Sequence, residues 1–188
     1  MGKCFHAKSV AADAGFLAVP AIDLILNPAE IDFGKVVADL SAIQKLLPQR
    51  HEMEQLTAIL IDDPEDGIIA GYKDIAEDEF WVRGHMPGMP LMPGVIMCEA
   101  AAQVCSYHVI ANRLMETDML GFGGLDEVRF RGPVTPGDRL LVVAERQKLR
   151  PKTIVLCRFQ CFVGDTLVCD GRLRGIPIPV NELRKNDG

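Results

Sequence analysis

The sequence contains no Cys-x-x-Cys pair and no paired cysteine–histidine spacing, so nothing in it has the form of a zinc site and no metal is expected. It has no basic run of the length a general nucleic-acid binder uses, and its net charge is −6. That balance leaves room for a local basic patch facing an acidic partner. No membrane span is expected, because the N-terminal apolar run from Ala14 to Ile22 stops at Asp23. Lys3 and Lys8 ahead of that run faintly imitate a signal peptide, but Asp13 and the lack of a small-x-small site after the run argue against one. Repeats and low-complexity segments are absent too. The expectation is a cytoplasmic protein without nucleic-acid or membrane partners.

What is present fits one domain. The 188 residues suffice for a full core, and 48% hydrophobic with 24% charged residues is ordinary globular composition. Of the six cysteines, Cys98 and Cys105 fall in an apolar helix pattern, and Cys157 and Cys161 share one side of a strand pattern. Small core residues in a reducing compartment explain them, Cys4 and Cys169 included.

In chain order, residues 1–38 carry no chemistry. Asn27-Pro28 marks a turn and the following residues can hold a short helix; packing over a sheet edge or a partner subunit is the guess for this segment. Asp39 or Ser41 can cap a short helix carrying Leu40, Ile43, Leu46 and Leu47, which Pro48 ends. Extended segments follow at 56–61, 68–75 and 80–82, the first two joined by a turn at Asp62, Asp63, Pro64 and Gly67. A buried helix is expected over 95–114, then strands over 119–130, 139–149, 153–163 and 166–176. Gly121, Gly123 and Gly124 predict a bulge or a close backbone approach, and Gly164-Asp165 a tight hairpin. The charged tail 181–188 is expected to fray. One antiparallel sheet wrapped around one long apolar helix, an α+β architecture, is the layer solution for this order.

The stretch with chemistry is GHMPGMPLMPGVIMCEAAAQ, from Gly84 to Gln103. Pro87, Pro90 and Pro93 fix three φ angles and remove three donors, so the part before the helix must be a shaped loop. Pro93-Gly94 then opens the helix, whose free N–H groups and positive dipole end suit a developing oxyanion. Glu99 is the exception in an apolar helix, with Gln103 and Ser106 on its stripe. Burial would favour its protonated form, which suits a general acid, while His85 supplies an imidazole near neutrality. The bland alternative is a kinked loop with a satisfied histidine and a helix glutamate capped by water. The combination of groups weighs against it. His51-Glu52 lacks a second histidine at i+4 and reads as solvated loop rather than metal motif.

The pattern GHxPGxPxMPGVxxxEAxAQ resembles the signature of the 3-hydroxyacyl-(acyl carrier protein) dehydratases, the hot-dog-fold FabZ/FabA family. DLSAIQKLLPQR and DEVRFRGPVTPGDRL are similar to further family segments, so the likeness spans about Asp39 to Pro179. It divides the chain into an extension (1–38), a hot-dog dehydratase domain (39–180) and a tail (181–188). The resemblance implies catalytic roles for His85 and Glu99, with the Gly94 N–H meeting the thioester carbonyl. His85 would take the C2 proton of a (3R)-hydroxyacyl thioester, and Glu99 would orient or protonate the leaving hydroxyl. The product would be the trans-2-enoyl thioester. Gln103 would either hold that carboxyl or buttress a subunit interface.

The same resemblance implies acyl carrier protein as partner and no cofactor. It also implies a homo-oligomer, a dimer or trimer of dimers, with His85 and Glu99 from different subunits. Arg129, Arg131 and Arg139 are candidate carrier contacts, though each alone reads as solvated charge. Glutamate at 99 is more typical of the FabZ branch, which dehydrates without isomerising. The chain departs from the family pattern at HEMEQL (51–56), where an aromatic-proline-aromatic run is usual, and at Met86, where phenylalanine is common. A hot-dog thioesterase and a non-catalytic acyl-binding scaffold are the alternatives; the Asp-x-x-x-x-His pair of R-specific enoyl-CoA hydratases is missing.

Overall fold

The computed structural model describes residues 23–179 of the 188. The charged tail, Cys4 and the apolar run Ala14 to Ile22 therefore lie outside the described residues. The elements are β1 (Ala38–Asp39), α1 (Leu40–Leu46), β2 (Ala58–Asp63), β3 (Ile68–Asp74), α2 (Gly94–Ala111), β4 (Leu120–Phe130), β5 (Arg139–Arg150), β6 (Ile154–Val163) and β7 (Thr166–Pro177). All strands join one antiparallel sheet in the order β1-β2-β3-β5-β6-β7-β4.

The sheet curls around α2, which touches β3, β5, β6 and β7. Its all-round apolar sequence follows from that enclosure: Met97, Cys98, Ala101, Val104 and Cys105 meet Val142, Val155, Cys157, Phe159 and Cys161 in one core. By length and composition α2 could also cross a membrane, but here it is the core helix of the sheet. It ends at Ala111, three residues short of the expected limit. Leu114 N–H bonds to Val109 C=O and Arg113 N–H to Ile110 C=O, the Schellman pattern, with Arg113 in the left-handed position usually held by glycine. Near that end Asp62 on β2 accepts from His108 Nδ1 at 2.6 Å and from Asn112 Nδ2 at 2.9 Å, pinning helix to sheet.

Local sequence signals explain the other junctions. Asp39, rather than Ser41, caps α1 by accepting from Ala42 N–H at 2.8 Å. The β2–β3 turn is held by Asp63 accepting from Glu65 and Asp66, with Gly67 at φ 73°. The bulge expected on β4 is real, with register shifts between Phe122 and Gly124 and between Asp126 and Arg129. The strand expected at 80–82 is absent. Trp81 is buried, and its carbonyl accepts from Gly84 and His85, so this segment is a run of turns anchored by an indole.

The described part of the segment before β1, from Asp23 on, lies mostly on a face of the sheet and reaches an edge only at its end. Ile25, Leu26, Ile31 and Phe33 lie on the outer face of the sheet, against Ala58, Leu60, Ala70, Tyr72, Leu141, Val143 and Phe162. Buried Gln160 fastens this strap: its Oε1 accepts from Ile25 N–H at 2.8 Å and its Nε2 donates to the Asp23 carbonyl at 2.9 Å. Only at Val37–Asp39 does the segment reach an edge, beside β2.

Candidate active site

The loop before α2 is rigid by its own bonds. Met86 and Met89 exchange backbone hydrogen bonds, Leu91 N–H donates to the His85 carbonyl, and Met92 N–H donates to Val134. His85 Nδ1 lies 2.8 Å from the Leu91 carbonyl oxygen. A carbonyl only accepts, so Nδ1 carries the proton and Nε2 presents a lone pair. The imidazole is exposed on this chain.

Pro93 and Gly94 begin α2, where the first backbone N–H groups have no intrahelical partners. Gly94 lets the Phe130 ring lie close: a Cβ there would stand 2.7 Å from the ring and push it aside. Phe130, on β4, thus covers the helix start while half its own surface stays exposed.

One turn further on, Glu99 Oε1 accepts from Gln103 Nε2 at 2.8 Å and from Gln49 Nε2 at 3.5 Å. Gln103 is itself fully engaged, with Oε1 accepting from Gln55 N–H at 2.9 Å and Nε2 also donating to the Met53 carbonyl at 2.7 Å. Gln103 thus hydrogen-bonds the Glu99 carboxyl and anchors the 51–56 loop to the helix. That loop is a 3-10 turn, His51–Met53, with an exposed histidine. Glu99 borders a small cavity of about 80 Å³ whose wall includes Gln49, Ala102, Ser106, Leu120 and Val155.

Gly94, Glu99 and Gln103 are thus gathered on one helix. His85 is not: it does not line the Glu99 cavity of its own chain. The arginines scatter. Arg131 pairs with Asp170, and Arg139 pairs with Asp74 while stacking over Tyr72 and Phe33. Arg129 forms no ion pair among the described residues and borders a shallow pocket with Arg158 and Arg172. Sequence reasoning passed over Gln49 and Phe130. Gln49 had one available signal, its place in the family-like Pro-Gln-Arg after α1.

An antiparallel sheet wound round one helix, with a histidine loop feeding a helix that bears a half-buried carboxylate, defines a hot-dog protein. Residues 47–172 match the family model described as a FabA-like domain, and the chain belongs to that family, on its FabZ-like side. It is 38% identical over 136 residues to the 3-hydroxyacyl-[acyl-carrier-protein] dehydratase FabZ of Pelotomaculum thermopropionicum, covering 72% of this chain and 95% of that one. It is 37% identical to the protein of the same name from Clostridioides difficile, covering 72% and 94%. Among solved structures, the dehydratase heterocomplex ApeI:P of Xenorhabdus doucetiae aligns with a TM-score of 0.61 at 16% identity, over 78% of this chain and 97% of that one. Cj0977 of Campylobacter jejuni aligns at 0.57 and 14%, over 75% and 91%. These two likenesses speak for the fold alone.

Proposed function

We propose that this protein removes water from (3R)-hydroxyacyl thioesters carried on acyl carrier protein, giving trans-2-enoyl thioesters for fatty acid or related lipid synthesis. His85 Nε2 takes the C2 proton. The first N–H of α2, at Gly94, meets the oxygen that gains charge as the enolate develops. Glu99 protonates the departing hydroxyl from Oε2, since its other oxygen is engaged by amides. The observation that carries this reading is the pair of fixed groups: an imidazole whose tautomer is set by Leu91 and a carboxyl whose orientation is set by Gln103.

The two groups are supplied by different subunits of a homodimer. β4 supports this: it is an eleven-residue edge strand with exposed Phe122, Leu125 and Phe130, a surface that asks for a partner. Whether such dimers gather in threes does not alter the chemistry. Arg129, free of ion pairs among the described residues, is the foremost candidate for meeting the carrier; Arg131 and Arg139 are already held by carboxylates. Five described cysteines are free and buried, as a reducing cytoplasm would keep them.

The test is turnover of 3-hydroxyacyl thioesters on acyl carrier protein, following loss of water by product mass. Rapid conversion is expected, and His85→Ala should lower kcat by roughly 10²–10⁴, the usual worth of a positioned acid or base. Mixing His85→Ala with Glu99→Gln subunits should restore part of the activity, because some mixed dimers keep one intact site. Near-wild-type turnover by His85→Ala would sink the assignment. Release of free thiol instead of water would point to a thioesterase, and no reaction at any chain length to an acyl-binding scaffold.

A further inference from the structure

Buried amide oxygens of Gln49 and Gln55 both lack a hydrogen-bond partner among the described residues, and of the two only Gln49 borders the cavity beside Glu99. The amide nitrogen of Gln49 points to Glu99 Oε1 at 3.5 Å. A buried amide oxygen left unpaired is unfavourable and marks a place where a donor is missing. Turning the amide over would set its oxygen against the carboxyl oxygen of Glu99, so the orientation follows from that neighbour.

The residue is also held firmly. Arg50, next in sequence, donates to the carbonyls of Gln44, Leu47 and Gln49, at 2.7, 2.8 and 2.5 Å. These three bonds clamp the turn after α1 and fix the backbone from which the Gln49 side chain reaches the cavity. An unpaired acceptor on a clamped backbone, beside the acid of the site, is built to receive a donor from a ligand.

We propose that Gln49 is a substrate-contacting residue whose Oε1 accepts a hydrogen bond from the 3-hydroxyl of the bound thioester. This rests on the dehydratase reading above. A hydroxyl has one proton to donate and lone pairs to receive. Donating to Gln49 Oε1 turns a lone pair toward Glu99, whose Oε2 supplies the proton. The C3–O bond then breaks with its electron pair on oxygen, and the hydroxyl leaves as water carrying its own hydrogen and the one from Glu99. The C2 proton goes to His85 and the C2–H pair forms the double bond, so atoms and charge balance. Glu99 ends ionised and His85 protonated, and one proton passed between them resets the site.

The experiment uses the full chain and two non-reacting probes: a 3-hydroxyacyl pantetheine in which an amide nitrogen replaces the thioester sulfur, and its 3-deoxy counterpart. Calorimetry on wild type should show the hydroxy probe binding roughly 5–10-fold more tightly, the worth of one hydrogen bond. Gln49→Met should erase that preference while leaving the Kd of the deoxy probe unchanged. Gln49→His, which keeps one donor and one acceptor nitrogen, should retain part of it. If Gln49→Met fails to fold, Gln49→Ala carries the same comparison. An equal preference in wild type and variant, a variant that weakens both probes alike, or a wild type that binds neither overturns the assignment. Turnover separates it from the reading beneath it. A wild type that distinguishes the probes but eliminates no water sinks the dehydratase reading and leaves the Gln49 contact standing; a competent enzyme blind to the hydroxyl does the reverse.

Discussion

Gln103 is 2% exposed, and its side chain joins three groups: the Glu99 carboxyl, the Met53 carbonyl and the Gln55 N–H. Replacing it with methionine keeps the volume but strands two backbone groups of the 51–56 loop. Each stranded group costs about 1–3 kcal/mol, so Gln103→Met should destabilise the fold by roughly 2–6 kcal/mol and lower kcat as Glu99 loses its holder. Urea unfolding and steady-state rates check both parts; an unchanged midpoint would show that the loop is held by something else. The link between Glu99 and Gln103 was legible, because residues four apart meet on a helix. The bonds to Met53 and Gln55 were not, since they join positions 50 and 48 residues away and no local pattern encodes them. Gln49 also reaches Glu99 across 50 positions, so only its place in Pro-Gln-Arg could have marked it.

At the level of elements, the strap lies before the segment that matches the family model. Phe33 meets Tyr72 edge-on, with centroids 5.6 Å apart, and Arg139 stacks on both rings. Phe33 is half-buried, so Phe33→Ala should cost about 1–3 kcal/mol, less than a fully buried aromatic. Amide exchange should quicken across residues 25–33, while kcat holds because the strap and α2 lie on opposite faces of the sheet. A loss of activity without loss of protection would mean that the strap serves the site after all. The strands and α2 were readable from period and punctuation. So was the burial of β5 on both faces, since Leu140 to Ala144 form a continuous apolar run. Such a run says that both faces are covered, but not that the second cover is the chain's own N-terminal segment. The spurious strand at 80–82 has the opposite cause: Phe80, Trp81 and Val82 have strand-forming side chains, yet no neighbouring strand offers a ladder, and Trp81 is buried as an anchor.

Across the whole molecule the seam between helix and sheet is lined with thiols. Cys98 and Cys105 stand two turns apart on α2, facing Cys157 and Cys161 on β6 and Cys169 on β7, with Cys161 and Cys169 opposite each other in register. A hydrogen bond with Cys169 and then burial raise Cys98; a bond with Cys157 and burial raise Cys105; a bond with Cys161, with burial, raises Cys169. All three remain protonated where a free thiol, with an ordinary value of 9.0, would ionise. The sign of the consequence follows. Above pH 9 the unfolded chain releases these protons and the folded chain keeps them, so the unfolded state binds fewer protons and stability falls as pH rises. At pH 10 the loss is about 1.4 kcal/mol per thiol, roughly 4 kcal/mol for the three, with none of it present at pH 7. Tyr107, raised from 10.0 by burial and by Asp62, adds to the decline only at higher pH. Denaturant melts at pH 7, 9 and 10 should trace that fall, and Cys105→Ala, though less stable at pH 7, should show a decline about one third smaller. An identical alkaline slope in wild type and variant would mean that the thiols ionise inside the fold. The seam would then be wet, and the helix not sealed by the sheet.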